Sequence, residues 1–447
     1  MKRLLFLLFG ILLIMPSAPV MGAGGDGPPK DMMKGVFVAV DAPSRTATFI
    51  NGETETALTL TLGEGMTAGD ITLDKKVMVS LDKHAGEGII KDVSIMFLDM
   101  TPGRVAALLL IGLIGGLLSG FIGSGGAFVL TPAMMSLGVP GAIAVASNMC
   151  HKFPKAMVGA YKRYKYGQAD IKLGLVMAVT AIIGVQIGIR IQKYILSQWG
   201  NAGSNLYVSV VFVLVLLLVG AYVFYDAYKL SKGGGDPQTP KLAQALMKIN
   251  LPPMMEFKVA KVRISAWVTI PVGLMTGMLA ATIAVGGFIG VPGMIYIVGA
   301  SAMVASATEL VIAFIMGAWG SFQWGMSGLI DIRLTLLILA GSLVGVQLGA
   351  LGTTYVKDHM IKIVMASVMV IVAVSRGAKI PGYLADLGLR GQLEPQMASL
   401  LEGVSFWSLI AALGFATVII AAAMIKGMVD ARAEERVKSL EAEVSHG

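Results

Sequence analysis

The chain is poor in charge and almost without cysteine. A single cysteine, Cys150, among 447 residues excludes an intramolecular disulfide, so any exported portion folds without that staple. Only 14% of the residues are charged, too few to clothe a soluble fold of this length. The net charge of +8 is scattered over short loops with no basic domain or interleaved aromatics, which excludes a nucleic-acid surface. HExxH, nucleophile-elbow and P-loop patterns are all missing, so neither an enzyme centre nor a built-in ATP motor is expected. No cofactor and no metal site is expected either.

Apolar residues fill the chain instead, at 55% with a mean hydropathy of +0.77, and lipid must be the solvent. Windows at 104–122, 171–193, 206–229, 264–284, 331–353 and 404–425 approach or exceed the roughly 20 apolar residues that a bilayer requires. Others, such as 286–299, are shorter. Met1-Lys2-Arg3, an apolar run and small residues up to 23 read as a secretory signal peptide or an N-terminal anchor. Residues 30–98 alternate with period two and carry the hairpin signal Asn51-Gly52. About five strands are expected there, at 35–40, 46–50, 54–62, 75–81 and 88–96, forming a small extracytoplasmic β-domain. His84, alone or with Met32 and Met33, is a weak metal candidate, and an isolated histidine is more often none.

The apolar part is duplicated. Gly184-Val185-Gln186-Ile187-Gly188 returns as Gly345-Val346-Gln347-Leu348-Gly349, an offset of 345 − 184 = 161 residues. The same offset links Gly112 to Gly273, Gly125-Gly126 to Gly286-Gly287, Gly159 to Gly320, Gly167 to Gly328 and Asp170 to Asp331. The expected fold is an all-α polytopic membrane protein with two inverted five-segment repeats, 104–230 and 264–376. A connection at 231–263 joins them, and an extra helix at 404–427 leads to a charged tail at 428–447. Lys162, Arg163, Lys165 and Lys172 in one loop, with Lys229, Lys232, Lys241, Lys248, Lys258, Lys261 and Arg263 around the connection, place both on the cytoplasmic side of a bacterial inner membrane.

Two places stand out for chemistry. In each copy a glycine pair interrupts the apolar run, Gly123-Ser124-Gly125-Gly126 before Pro132 and Gly286-Gly287 before Pro292. Lipid-facing backbone tolerates no such break, whereas a cavity does, and half-helix N–H groups offer partial positive charge to an oxyanion. Helix packing is the plainer reading for Gly112, Gly116, Gly120, Gly273 and Gly277, which have small-xxx-small spacing. The second place is Ser147, Asn148, His151, Lys152 and Lys155 on one apolar helix that also carries Pro154. A charge at the bilayer centre costs roughly 2.5–3.5 kcal/mol, so these require a cavity, a partner or a substrate unless the lysines snorkel to water. In the second copy Thr308 and Glu309 stand opposite Ser147 and Asn148, and Glu309 is a candidate for charge balance or for carrying a coupling proton. Asp170 and Asp331 read as helix caps. For Gln186 and Gln347, a cavity contact and an interhelical hydrogen bond remain equally open.

The glycine run from Gly112 to Pro132, the segment Gly138-Val139-Pro140 through Ser147-Asn148, the basic turn at 162–167, the 184–188 run and their second copies resemble the TauE/SafE family of sulfite exporters, over roughly 104–376. The resemblance implies a secondary carrier of a small sulfur-containing anion. It points to Ser124, Gly125, Gly126, Ser147, Asn148, Gly286, Gly287 and Thr308 as its site. The β-domain, the long connection and the charged stretch from His151 to Lys155 depart from the family pattern. A membrane-embedded sensor or assembly protein, with a ligand-binding β-domain, is the alternative function.

Overall fold

The computed structural model describes residues 32–446, apart from 52–53, 65, 67, 69–70, 72–75, 82–87, 96–99, 124–125, 234–239, 357 and 392. The candidate leader, His84, Ser124 and Gly125 therefore lie outside the described residues.

Period-two alternation in the N-terminal region becomes five strands, β1 (Met32–Asp41), β2 (Thr46–Asn51), β3 (Ala57–Leu62), β4 (Lys76–Leu81) and β5 (Ile89–Ile95). They close into a barrel in the order β1-β2-β3-β5-β4, with β1 pairing back to β4 and β3 lying parallel to β5. This is the Greek-key order of an OB-type barrel. Phe37, Phe49, Leu60, Val77, Val79 and Ile90 point inward and supply its core. Strand β3 begins at Ala57 rather than at 54, because Asn51 N–H is bonded to Thr56 O and Glu55 N–H to Asn51 O, which closes the hairpin just before it.

Helices follow: α1 (Pro102–Ile122), α2 (Ala127–Ser136), α3 (Gly141–Lys165), α4 (Ile171–Gly233) and the short α5 (Lys241–Met247). A hairpin of β6 (Met254–Phe257) and β7 (Val262–Ser265) leads into α6 (Ala266–Ile283) and α7 (Gly287–Gly293). A π-helical turn at Met294–Val298 extends α7. The chain then runs through α8 (Ala302–Met326), α9 (Ile332–Gly352), α10 (Asp358–Asp386) and α11 (Pro395–His446). Seven of the described helices are long and apolar enough to cross a bilayer, whereas Ala127–Ser136 and Gly287–Val298 are not. The connection at 231–263, with no elements assigned from the sequence, thus holds a helix and a hairpin. Helix α10 runs on to Asp386, shortening the loop expected after 376.

At 63 residues, α4 is about three times the thickness of a hydrocarbon core. Gly200, at φ 61°, ends its first part, and the chain reverses there. Gln192 donates to the Ser204 hydroxyl at 2.7 Å across the break, although a straight helix would hold those residues about 18 Å apart.

Packing of the two copies is reciprocal. Helix α1 lies on α9, and the first half of α4 lies on α6. A Cβ on Gly112, Gly116 or Gly120 would strike the backbone of Ile338, Ser342 or Val346, and one on Gly341, Gly345 or Gly349 would strike α1. In the other pair, Gly273 and Gly277 meet Met177, Thr180 and Ala181, while Gly184 and Gly188 meet the carbonyls of Leu274 and Met278. Small-residue packing accounts for these glycines, and for Gly112, Gly116, Gly120, Gly273 and Gly277 the spacing implied it. Capping is equally regular. Asp170 accepts from Leu173 N–H and Asp331 from Arg333 and Leu334 N–H, and Asp170 also holds the hairpin through Val259 and Ala260 N–H at 3.0 and 3.1 Å.

Candidate functional site

Helix α3 carries the site because its sequence alternates small residues, which let α8 and α9 approach, with polar ones that have nowhere to go but inward. Ser147, Asn148, His151, Lys152 and Lys155 are all 0% exposed, as are Thr308 and Glu309 on α8. The lysines do not snorkel to water. The short helices that follow the glycine pairs touch: Phe128 of α2 and Phe288 of α7 meet with ring centroids 4.2 Å apart. Gly126 and Gly286 begin these short helices pressed against the α1 and α6 backbones, at Gly115 and Thr276.

Each polar side chain has a distinct job. Asn148 Nδ2 donates to Ala127 O at 2.9 Å and to Thr131 Oγ1 at 2.8 Å, which fastens α2 to α3. Its counterpart Glu309 lies over Gly290 in α7, so both copies reach their short helix from the same position. Ser147 Oγ accepts from Asp331 N–H and Thr308 Oγ1 from Asp170 N–H, each at 3.0 Å. These hydroxyls form a matched pair of clasps, each holding the start of a helix in the other copy. The Gln186 side chain accepts from Gln323 at 2.8 Å, so for Gln186 the interhelical bond prevails over a cavity contact, whereas the Gln347 side chain donates to Leu343 O of its own helix at 2.9 Å and its backbone carbonyl accepts from Lys162 at 3.1 Å.

The cations divide into occupied and unoccupied. Lys152 Nζ donates to the carbonyl of Ala284 at 2.9 Å, where α6 ends in a left-handed residue at φ 62°. It thereby neutralises the negative end of that helix, and the Glu309 carboxylate lies within its electrostatic reach. Arg163, which reads in the sequence as one more loop cation, is also 0% exposed. Its guanidinium donates to Gly120 O and Phe121 O at the end of α1, and to Met303 O and Ser306 Oγ at the start of α8. One helix, α3, thus caps both interrupted helices with positive charge. Replacing Arg163 by glutamine should leave several of these acceptors unpaired and cost about 3–5 kcal/mol, readable as a lower unfolding temperature in detergent. Lys155 differs: its ammonium is buried and has no hydrogen-bond partner among the described residues.

His151 completes the cluster. Nδ1 lies 3.2 Å from Asn148 Oδ1 and Nε2 lies 2.8 Å from Ser342 Oγ, whose hydroxyl also reaches Gly112 O at 2.9 Å. Because Asn148 spends its amide N–H groups on α2, Oδ1 requires a proton on Nδ1. Ser342 has one proton for two acceptors. A neutral ring turns that hydroxyl toward Nε2, and a protonated ring turns it toward Gly112.

These features define a polytopic membrane protein whose helices pack around a buried polar cluster on α3 and α8. Residues 108–376 match the family described as Sulfite exporter TauE/SafE, and the chain belongs to that family. The match runs from α1 into α10 and leaves out the β-barrel and α11. Among curated proteins of Bacillus subtilis (strain 168), the chain is similar to "Probable membrane transporter protein YdhB", at 21% identity over 57% of this chain and 93% of the relative. It is similar also to "Probable membrane transporter protein YunE", at 22% over 59% and 94%, and to "Probable membrane transporter protein YjnA", at 22% over 59% and 96%. No solved structure matches the chain.

Proposed function

We propose that this protein is a secondary transporter of a small anion, a sulfur oxyanion or organosulfonate of the sulfite, thiosulfate or sulfonate type, working by alternating access. The single observation that carries this reading is Lys155, a fully buried ammonium without a hydrogen-bond partner among the described residues, on the same helix as two cations that already have theirs. An uncompensated charge within a membrane is costly, and an anionic substrate is the group that would compensate it. Lys152, His151 and the amides at Gly126, Gly286 and Gly287 flank that substrate. Glu309 balances Lys152, and Glu309 or His151 carries the coupling proton. Complete enclosure of the cluster fits an occluded stage of such a cycle. The family's description and the relatives' printed names support transport in general, and the residue chemistry adds the sign of the cargo's charge.

The two copies are inverted in this reading. In support, the 138–140 turn, the Gly200 reversal, the end of α10 and Val93 of the barrel share one cavity. At the far end of α3, Asp170, Lys172 and the β6–β7 hairpin meet, with Lys172 donating to Glu256 O at 2.9 Å. Basic residues concentrate at this second end, which becomes the cytoplasmic one, and the barrel lies outside the inner membrane.

Counterflow in proteoliposomes, with labelled sulfite, thiosulfate and a small sulfonate in turn, tests the proposal. Saturable flux of at least one of them is expected. Absence of flux for every anion, together with binding of one to the isolated region 30–98, would instead favour the sensor reading. Contact of Val93 with the helical cavity is the observation that keeps that alternative in view.

A further inference from the structure

The two short helices end alike. Helix α2 stops at Ser136 and the π-helical turn that extends α7 stops at Val298, and each is followed within two residues by a left-handed glycine at φ 92°, Gly138 or Gly299, which stand 161 residues apart like the other repeated glycines. Met135 and Tyr296, three residues before these glycines, occupy equivalent positions. Neither helix is long enough to span a bilayer, so neither is anchored at both membrane surfaces. Their starts are pressed against α1 and α6, and their ends need another hold.

Helix α10 and the second half of α4 supply that hold. They pack together where a Cβ on Gly220 would lie 3.1 Å from Met369. Near the start of α10, Lys362 Nζ donates to Asp226 Oδ2 of α4 at 2.8 Å, and the Tyr296 hydroxyl donates to the same oxygen at 2.8 Å. The ammonium also lies 5.4 Å from the Tyr296 ring centroid, and Tyr222 of α4 meets that ring edge-on at 4.8 Å. Further along α10, about 21 Å away at a helical rise, Arg376 Nη2 donates to Ser136 Oγ at 3.0 Å and to Ser405 Oγ of α11 at 3.2 Å, and Met135 Sδ lies 4.0 Å from Nη1. Arg376 is 0% exposed, and among the described residues these two serine hydroxyls are the oxygens that hold it. One helix pair therefore grips the last turns of both short helices, at opposite ends of α10. Met135 lines the cavity that Val93 of the barrel shares, so the Arg376 joint lies at the barrel end.

We propose that these joints are two latches. Asp226 and Lys362 hold α7 shut through Tyr296, Arg376 and Ser405 hold α2 shut through Ser136, and release of one latch opens the buried cluster from its own end only. The short helices lie directly on that cluster, α2 through Asn148 and α7 at Gly290 beneath Glu309. This inference rests on the transport reading and adds its control. Helix α11, outside the matched residues 108–376, enters the barrel-end latch through Ser405, so the two latches differ in build.

Thiol labelling of the full chain in nanodiscs, where both faces meet the medium, tests the inference. The probe is 2-sulfonatoethyl methanethiosulfonate, whose charge keeps it out of lipid. Val129→Cys on α2 and Val291→Cys on α7, each in a Cys150→Ala background, are the reporters, at positions 0% and 1% exposed. Tyr296→Phe removes one hydroxyl and keeps the ring that Tyr222 and Lys362 touch. Because hydrogen bonds to charged groups are the stronger ones, it should speed labelling at 291 about tenfold or more and leave 129 within about twofold of its former rate. Arg376→Gln should do the reverse. An unchanged rate at 291 in Tyr296→Phe, or at 129 in Arg376→Gln, would overturn the latch concerned. Equal acceleration of both reporters by either variant is general loosening and would overturn the proposal. If Arg376→Gln does not fold, Ser136→Ala, at a partly exposed position, takes its place with the same two readings. Labelling needs no flux, so a failure of the transport reading shows separately in the proteoliposome experiment.

Discussion

Replacing Lys155 by methionine is expected to abolish anion flux while leaving the protein at least as stable as before. In the folded protein this ammonium is fully buried and donates to no described residue, so its removal breaks no hydrogen bond and relieves a charge that costs roughly 2.5–3.5 kcal/mol in a membrane interior. Methionine is also the residue that the second copy places at the corresponding position, Met316, where its methyl end lies against Gly286. The size is therefore compatible with the fold. Lys152→Met should behave differently. It would strip the Ala284 carbonyl of its donor and leave Glu309 without its positive neighbour, and so lower both flux and unfolding temperature. Measuring counterflow and thermal stability on the same preparations separates a cation kept for cargo from one kept for the scaffold. Wild-type flux in Lys155→Met would remove this residue from the mechanism.

The second large effect belongs to the helix interface. Gly120→Val should prevent recovery of a monodisperse protein from membranes. A Cβ at 120 would overlap the carbonyl of Val346 and crowd the amide nitrogen of Ala350, both backbone atoms with no rotamer by which to retreat. Overpacking a well-fitted core costs about 1–3 kcal/mol when side chains can adjust, and here two helices must move apart instead. Gly277→Val should fail in the same way, since it meets Ala181 of α4 as Gly120 meets α9. Gly414→Ala on α11, with nothing within 4 Å of its added Cβ, is the matched control and should be neutral or slightly stabilising. Size-exclusion profiles of the three variants would decide the matter. A normal profile for Gly120→Val would show that the two copies do not depend on this contact.

Much of the scaffold could be read before the fold was known. The offset of 161 residues identified the glycines that pack α1 on α9 and α4 on α6, because close helix approach demands the same small residues wherever it occurs. Asp170 and Asp331 were legible as caps for a similarly local reason, since a capping side chain bonds N–H groups only two or three residues on. The polar stretch of α3 was legible as an unusual cluster because its lysines and histidine interrupt a run of small and apolar residues, and the fold buries it. Arg163 was not. It sits between Lys162 and Lys165 and has the composition of an ordinary cytoplasmic loop, yet it turns inward to two distant helix ends. Nor could the cavity be foreseen, since its walls come from a β-strand, a turn and two helices far apart in the chain.

The sequence by itself determined that lipid is the solvent, that the membrane unit is duplicated, and where glycine and proline interrupt its helices. These properties depend on composition and short-range spacing, and both are written along the chain. Only the tertiary structure decided which buried cation is left over. Lys152 and Lys155 are three residues apart on one helix, of the same type and equally buried, and nothing local distinguishes them. Charge compensation acts through space, and the group that neutralises Lys152 arrives from Ala284, 132 residues away, while no described residue reaches Lys155.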